Sequence, residues 1–157
     1  MKTLIPLLFL LSLNLSAQQV KFTGTTNDPI LKELMKDFHQ SARYAKVGNI
    51  KQLDSVQTIL FVKADLNMIG RISKDRKAIY LNEDLKQFKY LTRIILFRQI
   101  GKIYGLKDNK RNQEIMGTCW KIDKSSEGHA KHLAKQEWHD RHFFEALEKQ
   151  APIKVKL

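Results

Sequence analysis

One stretch constrains the fold of this chain more than any other. Between about Leu85 and Tyr104, the residues Tyr90, Leu91, Ile94, Ile95, Leu96, Phe97, Ile100, Ile103 and Tyr104 recur at helical spacing and point almost all round the helix axis. An amphipathic surface helix shows one apolar stripe. A helix that is apolar on nearly every side is buried in the middle of a domain. The chain has 157 residues, which suits one domain around one core. With 43% apolar residues and only 7 Gly and 3 Pro, it has enough side-chain volume to fill that core. A disordered, collagen-like or disulfide-stapled chain is excluded. The single cysteine, Cys119, rules out an internal disulfide and a multi-cysteine zinc site.

The elements around this helix follow from local signals. Gln19–Thr23 is expected as a short first strand. Asp28-Pro29 starts a helix, because Asp accepts from free amides and Pro fits the first turn. Ile30, Leu31, Leu34, Met35 and Phe38 then line one face, with Gly48 as the expected stop. Thr58–Val62 (TILFV) and Ala78–Leu81 (AIYL) read as strands, Met68–Ile72 as a weaker one, and Ser73–Arg76 as a polar turn. Asn82 to Asp84 cap the next element, and Gly105 ends the buried helix. Lys107–Gln113 is a polar loop. A last helix, about His129 to Lys149, carries the stripe Leu133, Phe143, Phe144 and Leu147. The expected fold class is a small α+β domain over residues 18–157, with an N-terminal helix, a buried central helix and a C-terminal helix around a twisted mixed sheet.

Residues 1–17 (MKTLIPLLFLLSLNLSA) read differently. One lysine precedes an apolar run, and Leu15-Ser16-Ala17 offers a small residue at a cleavage point, the pattern of a secretory signal peptide. The run is shorter than the ~20 apolar residues of a membrane span. The expectation is a secreted or periplasmic protein with no membrane span after cleavage. The formal charge of +12, from 28 Lys+Arg against 16 Asp+Glu, falls by one with the loss of Lys2. That surplus favours acidic partners. No nucleic acid is expected, since no long basic run or nucleic-acid motif is present.

Polar residues stand out inside the apolar helix. Arg98 and Lys102 lie one turn apart on one face, with Gln99 beside them. Like charges at this spacing repel, so something must neutralise them or their face must open to a cleft.

These residues also carry a family resemblance. Arg98-Gln99-Ile100-Gly101-Lys102-Ile103-Tyr104-Gly105-Leu106 has the frame of the zinc-protease helix H-E-x-G-H-x-x-G-L. Asp108 falls where metzincins place their third ligand, and Glu114-Ile115-Met116-Gly117 resembles their Met-turn. The match spans roughly Thr58 to Thr118 and resembles a small matrixin-like metzincin. The resemblance implies a zincin-like fold in which Gly101, Gly105 and Met116 are structural. It also implies that Arg98, Gln99, Lys102 and Asp108 stand at active-site positions, and that Trp120 borders a peptide-binding pocket.

The chemistry at those positions is absent. Arg has no lone pair to give a metal, Lys is a cation beside another cation, and Gln cannot act as a general base. One carboxylate does not hold zinc. The reading is therefore a catalytically inactive metallopeptidase-like protein, without cofactor, that binds a protein or peptide partner. Arg98 and Lys102 supply positive charge where the family carries zinc. Asp108 is expected to pair with one of them, and the cleft to accept a carboxylate terminus or an acidic side chain.

Two other readings compete. An altered metallopeptidase would hold zinc elsewhere, using His129, His132, His139 and His142, which form two i, i+3 pairs near Glu137 and Asp140. A basic extracellular module would bind acidic glycans or anionic surfaces through charge alone, with Lys107–Arg111 as its densest patch. His39 reads as a surface residue, and Trp138 as a packing residue.

Overall fold

A computed structural model describes residues 26–45, 56–65, 68–109, 115–117 and 134–150. The expected signal peptide, the strand at Gln19–Thr23, the stop at Gly48, and Cys119, Trp120, His129 and His132 lie outside the described residues. The described part is a small α+β domain with three α-helices and a three-stranded mixed sheet.

Helix α1 spans Pro29–Tyr44. It starts as the local chemistry requires: Asp28 Oδ1 accepts from the Ile30 amide at 3.0 Å, and the Asp28 carbonyl takes the first helical bond from Lys32. Strands β1 (Thr58–Val62), β2 (Gly70–Ile72) and β3 (Ala78–Asn82) follow. Their order in the sheet is β1-β3-β2. β3 runs parallel to β1 (Ile59 opposite Ile79) and antiparallel to β2 (Arg71 opposite Tyr80). The β2–β3 turn is the expected polar one. Asp75 and the Ser73 hydroxyl accept from the Lys77 and Ala78 amides, and Arg76 takes a left-handed φ of 59°.

The long apolar stretch divides in two. A 3-10 helix covers Glu83–Gln87, capped by Asn82, whose Oδ1 accepts from the Asp84 amide at 3.0 Å. Helix α2 then covers Lys89–Ile103. The break falls at Phe88, with φ −124° and ψ 74°, outside helical geometry. The Thr92 hydroxyl donates to the carbonyls of Leu85 and Phe88, so the junction leaves the buried Thr92 satisfied. Helix α3 spans Gln136–Gln150.

Helix α2 is the centre of the molecule. It packs on β2 and on β3, the latter contributing the buried Ile79 and Leu81; α1 packs on both α2 and α3, and the Phe97 ring of α2 meets Phe143 and Phe144 of α3. A helix between a sheet and a helix pair has little free face, which is why its apolar residues run almost all round. The aromatic rings of Phe38, Phe97, Phe143 and Phe144 join the three helices at centroid distances of 5.2–6.1 Å. No helix among the described residues is long and apolar enough to cross a membrane.

Candidate functional site

From Tyr90 to Ile103 every residue of α2 is buried except Arg98 and Lys102. Beyond the exposed Lys89 at its first position, the helix therefore meets solvent, among the described residues, through one window, and two cations occupy it. Their side chains are 16% and 34% exposed.

Asp108 closes the window. Its Oδ1 accepts from Arg98, with Nε and Nη2 each at 3.0 Å, and its Oδ2 lies 3.0 Å from Lys102 Nζ. One carboxylate thus joins both cations, where the sequence led us to expect a pair with one. The group keeps a net positive charge. Burial opposes ionisation of Asp108, but the hydrogen bonds and charges of Arg98 and Lys102 outweigh it and hold its carboxyl below the usual carboxylate range. The Asp108 side chain is 31% exposed, so the cluster borders solvent and is not a buried ion pair.

The turn that returns Asp108 to the helix is set locally. Gly105 takes φ +85°, the left-handed conformation that favours glycine. The Leu106 amide donates to the Gly101 carbonyl and the Gly105 amide to the Lys102 carbonyl, the paired bonds of a Schellman cap. Leu106 Cδ1 packs over Gly101, supplying the apolar contact that accompanies such a cap. Gly105 and Leu106 are thus explained by helix termination alone. The more discriminating features are those beyond the cap.

Two such features exist. Asn109 donates its amide to the Met116 carbonyl at 2.9 Å and bridges to Gly117, so the chain on either side of the undescribed residues 110–114 is tied together next to Asp108. Met116 is buried and sits under α2. A Cβ added at Gly101 would lie 2.8 Å from Met116 Sδ and 2.9 Å from Phe143 Cε2. Glycine at 101 lets the turn, α2 and α3 approach more closely than any other residue permits.

Gln99 is buried and faces the sheet. Its Nε2 lies 3.4 Å from the Gly70 carbonyl, a long contact to the edge strand β2. It occupies the expected position beside the cations but sits one side away from their window.

Of the four C-terminal histidines, the two that are described, His139 and His142, differ in environment. His139 is buried among the helices, whereas His142 is exposed, with Nδ1 3.0 Å from the Trp138 carbonyl. The carboxylate expected near them is engaged elsewhere, since both oxygens of Asp140 accept from Arg93. Glu137 lies beside Arg141 at 3.6 Å. No group of three or more possible ligands occurs among the described residues. Trp138, expected to pack, is 47% exposed and lies tilted against the His142 ring, with centroids 4.2 Å apart. His39, expected at the surface, is half-buried against the Phe38 ring.

Sequence reasoning missed the most heavily bonded charge among the described residues. Arg93, on α2, is 8% exposed. Its Nε donates to Asp37 Oδ2 on α1, and its two terminal nitrogens form a fork with Asp140 on α3 at 2.9 and 2.8 Å. Its guanidinium also lies 4.2 Å from the centre of the Phe97 ring. Burial disfavours its charge, but the two carboxylates overcome this and raise its pKa further. A third cation within the apolar run was the available signal. Its partners are 56 and 47 residues away, and no local pattern links them.

No protein-family model, curated protein or solved structure matches this chain.

Proposed function

We propose that this chain is a secreted, catalytically inactive metallopeptidase-like protein of zincin-like fold, whose degenerate cleft binds an acidic peptide or protein partner. The reading rests on one observation. Arg98, Lys102 and Asp108, the three positions that resemble metal ligands, converge within 3.0 Å contacts. Gly101, the residue before Lys102, packs on Met116.

The chemistry follows from the residues. A metal at such a place would polarise a carbonyl and activate water. Two protonated side chains cannot activate water in that way, having no basic site to take its proton, but they can bind a negative group. Arg98 has N–H groups beyond the two aimed at Asp108, and Lys102 has two donors beyond the one aimed there. Gln99 has no carboxylate to accept a proton from water. The cleft so built recognises charge and leaves peptide bonds intact.

Restoring the ligands tests the frame. The triple variant R98H/Q99E/K102H, with Asp108 kept, would carry two imidazoles and a carboxylate around one point. Purified and dialysed against zinc, it should take up one equivalent and unfold at a higher temperature than without metal. Adding Asp108→Ala should abolish that gain. A folded triple variant that takes up no zinc overturns the zincin-like frame. Stoichiometric zinc in the unaltered protein overturns the inactive reading.

A further inference from the structure

We propose that Asp108 is the resident occupant of a carboxylate site made by Arg98 and Lys102, and that a partner's carboxylate binds by taking its place. This rests on the acidic-partner reading above and adds its regulation.

The geometry carries three parts of the argument. First, the two cations leave α2 through one shared window, and both direct donors at the same carboxylate. A site that holds one carboxylate with three 3.0 Å contacts has the shape and charge to hold another. Second, the site is reachable, since Lys102 and Asp108 keep 34% and 31% of their side-chain surface. Third, the backbone beside Asp108 is fixed. Gly105 and Leu106 close the helix cap on one side, and Asn109 is bonded to Met116 on the other. Exchange is therefore a rotation of the Asp108 side chain, with no opening of the loop.

A tethered competitor lowers affinity in a predictable way. A ligand that binds only when Asp108 has turned away sees its affinity reduced by the fraction of time the site is free. Removing the charge of Asp108 raises that fraction. D108N keeps a carbonyl oxygen for Arg98, so the local fold is least disturbed, but it gives up the ionic attraction.

Two labelled peptides separate the sources of the carboxylate. One is penta-alanine with a free C-terminus. The other is Ala-Ala-Glu-Ala-Ala with an amidated C-terminus. Fluorescence anisotropy with the full mature chain should show at least one binding about tenfold more tightly to D108N than to the unaltered protein, the change expected if the site is free about a tenth of the time. D108E should restore weak binding, and Arg98→Gln should abolish binding in either background. Binding seen only with D108N supports the proposal equally. A second readout needs no variant. With saturating peptide, the carboxyl carbon resonance of Asp108 should titrate in the ordinary carboxylate range, because its cations are now taken.

The failures differ. If neither peptide binds either protein, the acidic-partner reading falls and the proposal with it. If the unaltered protein binds and depends on Arg98, yet D108N binds equally or more weakly, only the exchange is overturned. An unchanged Asp108 titration in the saturated complex overturns it too.

Discussion

Asp108 joins two cations that would otherwise repel each other across one turn of helix. Its removal leaves Arg98 and Lys102 side by side, partly desolvated, with no other counter-charge among the described residues. Hydrogen bonds to charged groups contribute roughly 1.5–3 kcal/mol, and partial exposure lowers that. Asp108→Ala should therefore destabilise the fold by about 1–2 kcal/mol in urea unfolding. The several kcal/mol expected of a fully buried pair does not apply, because the cluster borders solvent. A loss of only a few tenths would show that Asp108 holds nothing in place. The pH dependence has a definite sign. The folded-state pKa of Asp108 lies below its ordinary value, so its contribution is fully present above about pH 4 and is lost as pH falls through the folded value. The stability difference between the unaltered protein and D108N should be flat from pH 5 to 8 and shrink in acid. The presence of the two cations on one face was legible from their spacing alone. That one carboxylate serves both depends on the returning turn, whose path beyond Gly105 no short-range pattern specifies.

At the level of elements, α2 shows how far periodicity carries. Its all-round apolar character placed it in the middle of the domain, and it lies between the sheet and the other two helices. Its first turns are a separate 3-10 helix, because Asn82 caps at Asp84 and Phe88 leaves helical geometry before α2 begins. Apolar spacing is similar in both helix types over so few residues, so the sequence reads as one element. Gly101 lies where α2, α3 and the Met116 turn meet. Alanine is the better helix former by up to about 1 kcal/mol, so an exposed Gly101→Ala would stabilise. Here the added methyl would lie 2.8 Å from Met116 Sδ and 2.9 Å from Phe143 Cε2, against two neighbours on different elements. Overpacking of this kind costs about 1–3 kcal/mol. We expect a net loss of about 1–2 kcal/mol in Gly101→Ala, recovered in part by Met116→Ala in the same chain. Thermal unfolding of the single and double variants measures both.

For the whole molecule, Arg93 ties α1, α2 and α3 together beside the cluster of four phenylalanine rings. Arg93→Met would fill similar space but leave Asp37 and Asp140 without their cation. Stranding buried partners costs about 3–5 kcal/mol. Both carboxylates keep some solvent, so we expect about 3 kcal/mol by urea unfolding. Arg93→Lys should recover little, because an ammonium cannot reach two carboxylates in a planar fork. Recovery to within a few tenths by lysine would mean that charge alone matters there. The sequence determines the helices, most of the strands, the caps at Asp28, Asn82 and Gly105, and the core residues Phe143, Phe144 and Leu147 on α3, because spacing and capping act within a few residues. It also marks Arg98 and Lys102 as charges in need of a partner. The tertiary structure decides which partner answers each buried charge. It makes Asp108 bridge two cations, sends Asp140 to Arg93 rather than to the histidines, divides His139 from His142, and seats Met116 under Gly101. Such pairings join segments far apart in the chain, and the packing of whole elements selects among many carboxylates of equal local character.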